Sequence, residues 1–151
     1  MKKICNLEWL AGVLDTSGCW SATIAGQDGQ SVGSLRLQLS GPHELLVAAQ
    51  AKAGCGQLTK RSWSVSRSRD IAQLLVGILP HSQVRGRLYR RLLEWPILKQ
   101  GKKPDEAQRE LRRRIADDIG LIDPIGPGAR SKKRRRELEQ IRKNRRMAHG
   151  L

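Results

Sequence analysis

The nine residues Leu10-Ala11-Gly12-Val13-Leu14-Asp15-Thr16-Ser17-Gly18 constrain the fold more than any other stretch of this chain. Bulky apolar residues recur there and just upstream at the spacing of one helix face, at Leu7, Leu10, Val13 and Leu14. Another side of the same helix carries small and polar residues, at Ala11, Gly12, Asp15 and Thr16. Gly18 is a helix-stop signal. The pattern predicts a helix that buries one face in its own domain and packs its small-residue face closely against another helix.

This motif resembles the signature of the LAGLIDADG homing endonucleases. In that family two such helices pack at a domain or subunit interface, and an acid at the next-to-last motif position binds the catalytic divalent metal. Ser17 occupies that catalytic-acid position here, while Asp15 matches an earlier acid that belongs to the helix end. A neutral hydroxyl supplies neither the charge nor the reach of a carboxylate on a hard divalent metal. We therefore expect no catalytic residue, no metal site and no cofactor in this chain.

Two alternating segments follow the motif. Trp20, Ala22 and Ile24 alternate with small or polar residues, and the leucines of Ser34-Leu35-Arg36-Leu37-Gln38-Leu39-Ser40 give the clearest period of two in the chain. Residues 26–30 contain two glycines and predict the turn between them. The segments together predict a hairpin with one apolar face and one polar face.

Further elements are predicted up to residue 98. They are a helix over 44–52 that begins near Pro42 and ends at Gly54, strands over 56–61 and 63–67 joined at Ser62, a helix over 70–78 capped by Asp70, and a helix over 82–98. The apolar residues of the last helix are Val84, Leu88, Leu92 and Trp95, and we expect Arg85, Arg87, Arg90 and Arg91 to be available to solvent or phosphate.

The order of helix, hairpin, helix, hairpin, helix and helix is that of a single-motif LAGLIDADG domain. The resemblance implies an α+β fold with a curved antiparallel four-stranded sheet whose polar face lies in the DNA major groove. Arg can pair with guanine and Gln with adenine, and Ser or Thr can contact either base. We expect the nucleic-acid-binding residues to be Ser21, Thr23, Arg36, Gln38, Ser40, Gln57, Thr59 and Arg61.

An excess of basic residues points to the same class of partner. The chain has 29 Lys and Arg against 14 Asp and Glu, a net charge of +15. Such chains commonly bind nucleic acid, because each cation placed on a phosphate releases condensed counterions. No stretch approaches the apolar length of a membrane span, and no signal-peptide core follows Met1, so we expect an intracellular protein that is neither secreted nor bound to a membrane.

Composition changes after residue 100. We divide the chain into a DNA-binding domain over 1–100, an additional charged helix over 101–120, a Pro/Gly linker over 121–130 and a basic tail over 131–151. The charged helix has Ala107, Leu111 and Ile115 on one stripe and is expected to act as a lid on the core. The tail is too charged to fold alone and is expected to become helical along 134–146 on nucleic acid.

These patterns favour a double-stranded DNA-binding homodimer that has lost cleavage, with Ala11, Gly12, Asp15 and Thr16 at the dimer interface. We also expect other catalytic helpers of the family to be replaced, at Gly41 and around His81. Two alternatives stay open. One is a maturase-like splicing factor that binds structured intron RNA. The other is an active endonuclease in a heterodimer, with Mg²⁺ bound once a related subunit supplies the acid.

Overall fold

The chain forms an α+β fold in which helices cover one face of a four-stranded antiparallel sheet. The computed structural model describes residues 2–23, 33–99, 102–123 and 132–149. Its elements are α1 (Lys2–Ser17), β1 (Cys19–Thr23), β2 (Ser34–Ser40), α2 (His43–Ala53), β3 (Gln57–Leu58), β4 (Ser62–Val65), α3 (Ser68–Ile78), a 3₁₀ turn (Leu79–His81), α4 (Gly86–Leu92), α5 (Glu106–Ile122) and α6 (Lys132–Ala148). The predicted fold class is confirmed.

The sheet has the strand order β1-β2-β4-β3, and all neighbours are antiparallel. Its apolar face is a continuous part of the core, because Trp20 lies opposite Leu37 and Leu37 lies opposite Val65. The neighbouring pair of Leu39 and Trp63 is also buried. Alternation along β1 and β2 therefore predicted the correct face for each side chain. Ile24, Ala25 and the predicted turn over 26–30 lie outside the described residues.

α1 buries the apolar stripe that the sequence predicts. Leu10 and Leu14 are fully buried, and Leu7 and Val13 are half-buried. The helix ends where the Gly18 amide donates to the Leu14 carbonyl at 3.2 Å. A Cβ at position 18 would lie 2.9 Å from that carbonyl oxygen, so this close turn requires glycine.

The second hairpin is shorter than predicted. Its turn comprises residues 59–62, since the Thr59 amide donates to the Ser62 carbonyl at 2.8 Å, so the prediction of a turn at Ser62 was wrong. β3 consequently holds only Gln57 and Leu58. The next helix begins at Ser68, two residues before the predicted cap at Asp70, which lies in the first turn instead.

The long helix predicted over 82–98 was also wrong. α4 begins at Gly86, because the Ser82 hydroxyl and the backbone amides of the next two residues donate to the carboxylate of Asp15. A helix through this segment would redirect those donors. Leu88, Leu92 and Trp95 of the predicted apolar side are buried, whereas Val84, which precedes α4, is 51% exposed.

α5 is an integral part of the core. It starts with a capping box between Asp105 and Gln108 and buries Ile115 and Ile119. The lid stripe is partly confirmed, because Leu111 packs on the core but Ala107 is exposed. The helix continues into the predicted linker as far as Ile122, and residues 124–130 lie outside the described part of the chain.

A buried arginine fixes the start of β2 to α5. Arg112 donates to the Gly33 carbonyl at 2.9 Å and to the Pro96 carbonyl at 3.0 Å. Its guanidinium also stacks over the Trp95 ring, 5.2 Å from the centroid. Burial lowers the pKa of Arg112. The side chain thereby joins three separate segments through backbone acceptors.

The basic tail contains the helix predicted over 134–146. Residues 132–148 form α6, which packs on α5. Leu138 is 6% exposed and lies against Gly120, where an added Cβ would come within 2.7 Å of its methyl carbons. Arg145 pairs with Asp118 at 2.6 Å. Tertiary packing supplies the stability that a short charged helix lacks by itself. None of the helices among the described residues is long and apolar enough to cross a membrane.

Candidate nucleic-acid interface

The face of the sheet opposite the core carries polar side chains in register. Cys19 lies opposite Gln38, Gln38 opposite Ser64, and Ser64 opposite Gln57, so one row crosses all four strands. We call this the four-strand row. Directly opposed side chains in a sheet are close neighbours, and the row therefore offers a compact set of hydrogen-bond donors and acceptors.

Arg36 and Ser21 form the next pair on the same face. They lie directly opposite each other on β2 and β1, and both are exposed. Thr23 and Ser34 follow at the end of the hairpin, where their hydroxyl oxygens are 2.7 Å apart. At the other end of β2, Ser40 is exposed and faces Ser62.

The structure thus brings six of the predicted residues together on one face: Ser21, Thr23, Arg36, Gln38, Ser40 and Gln57. It adds residues that sequence reasoning missed: Cys19, Ser34, Ser62 and Ser64. Alternation identifies Ser34 and Cys19 as polar-face residues. The polar-face positions of Ser62 and Ser64 could not be predicted, because they depend on the turn over 59–62, which the sequence pattern misplaced.

Thr59 and Arg61 lie at the turn between β3 and β4. The Thr59 hydroxyl accepts a hydrogen bond from the Ser62 amide at 3.0 Å, which stabilises the turn. Arg61 is exposed beside it, next to the exposed Lys60. These two predicted residues therefore flank the polar face at the tip of the short hairpin.

α1 exposes a narrow stripe with residues four apart, at Glu8, Gly12 and Thr16. A Cβ on Gly12 would meet nothing within 4 Å in this chain. Ala11 and Asp15 are buried within the chain, so their side chains are not available to a second copy. Of the four residues predicted at the interface, Gly12 and Thr16 are the exposed ones, and the dimer itself stays a prediction.

Asp15 is held by a loop from the other end of the domain. Its Oδ1 accepts from the Ser82 hydroxyl at 2.7 Å, and its Oδ2 accepts from the amides of Gln83 and Val84 at 2.7 and 3.1 Å. Burial alone would raise the pKa of Asp15, but these hydrogen bonds favour the carboxylate and hold its pKa below the usual value. Burial, followed by the charge of Asp15, raises the pKa of Tyr89.

Arg85 lies at the C-terminal end of α1 and is 1% exposed. Its Nη1 donates to the Leu14 carbonyl at 2.7 Å and also to the Gly18 carbonyl. Nε and Nη2 donate to the two carboxylate oxygens of Asp123 at 3.0 and 3.2 Å. The expectation that Arg85 is available to solvent or phosphate was wrong, because helix-end carbonyls and a carboxylate from α5 surround it.

Solved structures of homing endonucleases share this architecture. I-CvuI in complex with the I-CreI target, in the presence of Mg and with the DNA not cleaved, is 22% identical with a TM-score of 0.70, over 82% of this chain and 85% of that one. I-CvuI in complex with its own target in the presence of Ca is 20% identical with a TM-score of 0.67, again over 82% of this chain and 85% of that one. I-TnaI is 14% identical with a TM-score of 0.56, over 89% of this chain and 97% of that one.

The chain has the homing-endonuclease fold. The resemblance drawn from the motif is confirmed at that level. No protein-family model and no curated protein sequence matches the chain.

Within the homing-endonuclease fold, the metal implied by the resemblance does not fit the residues at the end of α1. Ser17 is exposed and offers a hydroxyl, 3.4 Å from the hydroxyl of Thr16. The Asp15 carboxylate two positions earlier is occupied by the 82–84 loop. Among the residues that the structure describes, no three His, Cys, Asp or Glu side chains are grouped as metal ligands.

Proposed function

We propose that this chain is a double-stranded DNA-binding protein that reads base edges with the polar face of its sheet. The observation that carries the proposal is the four-strand row with Arg36 beside it on a homing-endonuclease fold. A two-stranded β-ribbon fits the major groove, where Arg recognises guanine and Gln recognises adenine through paired hydrogen bonds. The net charge of +15 supplies the sequence-independent attraction to phosphate.

The protein acts as a homodimer in this proposal. One motif helix is visible in the sequence, and its exposed stripe is centred on Gly12, where the absence of a side chain permits close backbone approach. A two-fold dimer would present two polar faces to a target with two-fold symmetry.

Cleavage is absent from the proposed function. Ser17 stands at the position where the resembled family has its metal-binding acid, and Asp15 is already engaged by the loop. In a homodimer the same replacement occurs twice, so neither strand has a metal ligand from this position. Duplex binding should consequently be the same in magnesium and in chelator.

Selection of bound sequences from a random duplex library tests the recognition step. Arg36→Ala should lower affinity for the selected duplex by about 1–3 kcal/mol and relax base preference at one position. Arg90→Ala, which removes an exposed Arg from α4, is the matched control and should leave the preference unchanged. Equal, uniform losses in both variants would exclude the sheet as the reader.

Cleavage is tested on the selected duplex with magnesium and manganese titrations. We expect binding without cleavage by the unmodified protein. Specific double-strand cleavage would contradict the proposal. Structured RNA is included as a competitor at matched salt, and stronger binding to RNA than to the selected duplex would favour the maturase-like alternative.

A further inference from the structure

α5 is connected to both ends of the pair of strands that carries most of the predicted reading residues. β1 and β2 run from Cys19 opposite Gln38, which we call the near end because α1 precedes it, to Thr23 opposite Ser34, which we call the far end. α5 packs on β1 and belongs to the core, so it lies behind the polar face of the sheet. The helix can therefore support the reading residues without contacting what they bind.

An arginine makes the connection at each end. At the near end, Arg85 donates to the Gly18 carbonyl and pairs with Asp123, the residue that ends α5. At the far end, Arg112 of α5 donates to the Gly33 carbonyl at 2.9 Å. Arg112 and Asp123 are eleven positions apart, which is about 16 Å along a helix. β1 has five residues and is about 17 Å long, so the two arginines hold the strand pair over its whole length.

The far end is tightly packed around Gly33. A Cβ on Gly33 would lie 3.2 Å from the Thr23 carbonyl oxygen and 3.6 Å from a ring carbon of Trp95. The Arg112 guanidinium stacks over the same ring, 5.2 Å from its centroid, and donates to the Pro96 carbonyl at 3.0 Å. Gly33 therefore lies between the β1 backbone and the Trp95 ring, with its carbonyl held by Arg112.

A guanidinium is a costly choice for this position. Arg112 is 4% exposed, and its Nε has no hydrogen-bond partner among the described residues, so the charge has lost its hydration with incomplete replacement. A Met side chain would also pack on Trp95 but could not donate to a carbonyl. The arginine therefore adds a fixed direction for the Gly33 carbonyl, one residue before Ser34.

We propose that Arg112 is a positioning residue for base recognition. It holds the Gly33 carbonyl and so fixes the far end of β1 and β2, while it contacts no DNA itself. The reading side chains at that end are Thr23, Ser34 and Arg36. Hydrogen bonds to base edges weaken steeply as their geometry departs from linear, so a shift of the strand ends lowers the discrimination between bases. This inference rests on the proposed function of the polar face.

The test compares Arg112→Met with Arg113→Met in the full chain. Arg113 is the next residue on α5, is exposed and pairs with Glu110 of its own helix, so its replacement leaves the contacts to β2 intact. Arg112→Lys keeps a donor for one carbonyl and should restore part of the effect. All variants are assayed at a temperature at which their unfolding curves show them to be folded.

Selection from a random duplex library measures base preference at each position of the target. Ser34 and Gln38 are four positions apart on β2, about 14 Å along a strand, which corresponds to about four base pairs at 3.4 Å each. The bases read by the far and near ends are therefore separate, and Thr23→Ala and Gln38→Ala assign them. In Arg112→Met, discrimination should fall about tenfold at the far-end bases and less than about twofold at the near-end bases. The Arg113→Met control should keep both.

Hydrogen exchange without DNA measures the hold on the strand pair directly. Arg112→Met should speed exchange of the far-end amides of β1 and β2 about tenfold, while the near-end amides keep their rates. Arg112→Lys should give a smaller acceleration at the same amides, and Arg113→Met none. If Arg112→Met does not fold, Arg112→Lys decides by the same two measurements.

A uniform fall in affinity for all duplexes, with relative base preferences unchanged, would overturn the inference, because a purely structural role lowers only the folded fraction. Full preference at the far-end bases in Arg112→Met would overturn it as well. If the unmodified protein selects no sequence, the proposed function fails and the recognition role fails with it. Faster far-end exchange in Arg112→Met would then still identify Arg112 as the hold on the strand pair, so the two failures are told apart.

Discussion

Replacing Arg85 with Met should lower the free energy of unfolding by about 3–5 kcal/mol. Met keeps much of the apolar volume but removes donors to four acceptors, which are the Leu14 and Gly18 carbonyls and the two carboxylate oxygens of Asp123. The side chains of the Arg85 and Asp123 pair are 1% and 0% exposed, so solvent cannot replace the lost guanidinium. Removing one partner of such a pair costs more than an exposed pair would contribute.

Denaturant unfolding followed by circular dichroism measures this loss, with Arg87→Met as the matched control. Arg87 lies two residues away on α4 and is exposed, so its replacement should change the free energy of unfolding by no more than about 0.5 kcal/mol. A loss of 3–5 kcal/mol corresponds to a fall in Tm of about 6–20 °C for a chain of this size, at about 2–4 °C per kcal/mol.

The double variant Arg85→Met with Asp123→Leu separates the ion pair from the helix-end contacts. It should recover part of the loss, because no buried carboxylate is left without its guanidinium, but not all, because Leu14 and Gly18 still lose their donor. If Arg85→Met were as mild as Arg87→Met, the buried position of Arg85 would be refuted.

Three further outcomes follow from described contacts. Asp15→Asn should lower the free energy of unfolding by about 2–3 kcal/mol at pH 7. Because the pKa of Asp15 is lower in the folded protein than in the unfolded chain, its carboxylate stabilises the fold above the unfolded pKa of about 4, and this stabilisation is lost as pH falls through the folded pKa. The unfolding curves of the variant and of the unmodified protein should therefore converge in acid. Gly12→Leu should leave monomer stability nearly unchanged, since the position has open space, but abolish self-association in sedimentation; a variant that remains dimeric would exclude α1 as the interface. Leu138→Ala should lower the free energy of opening of the α6 amides, measured by hydrogen exchange, by on the order of 2 kcal/mol, while the β2 amides stay protected. Equally faster exchange in α6 and β2 would contradict the inference that Leu138 holds α6 alone on α5.

The elements predicted well from sequence are those whose pattern reflects one buried face. Leu35, Leu37 and Leu39 contact the core at every second position, and Leu10 and Leu14 do so at helical spacing, so period alone identified β2 and α1. α4 could not be delimited in this way. Its start depends on hydrogen bonds from the 82–84 loop to Asp15, more than 60 positions earlier in the chain.

In the candidate site, too, the residues on regular strands were predicted correctly and those placed by distant contacts or short strands were not. Arg36 and Gln38 follow from strand alternation, whereas Thr59 and Arg61 were misplaced because a two-residue strand has too little pattern to locate its turn. Arg85 was predicted to be exposed because a basic residue on the polar side of a helix ordinarily is. Its buried partner, Asp123, comes from α5, and that distant pairing leaves no signal in the local sequence.

Ser17 sits at the last position of α1, exposed, with its hydroxyl beside that of Thr16. A carboxylate there would face the negative end of the helix dipole, at a cost of about 0.3–1 kcal/mol that Arg85 behind the same helix end partly offsets. An acid at this position would therefore carry a small cost in the free energy of folding. The neutral Ser17 avoids that cost, and because its side chain is exposed it does so without any change in the core packing of α1.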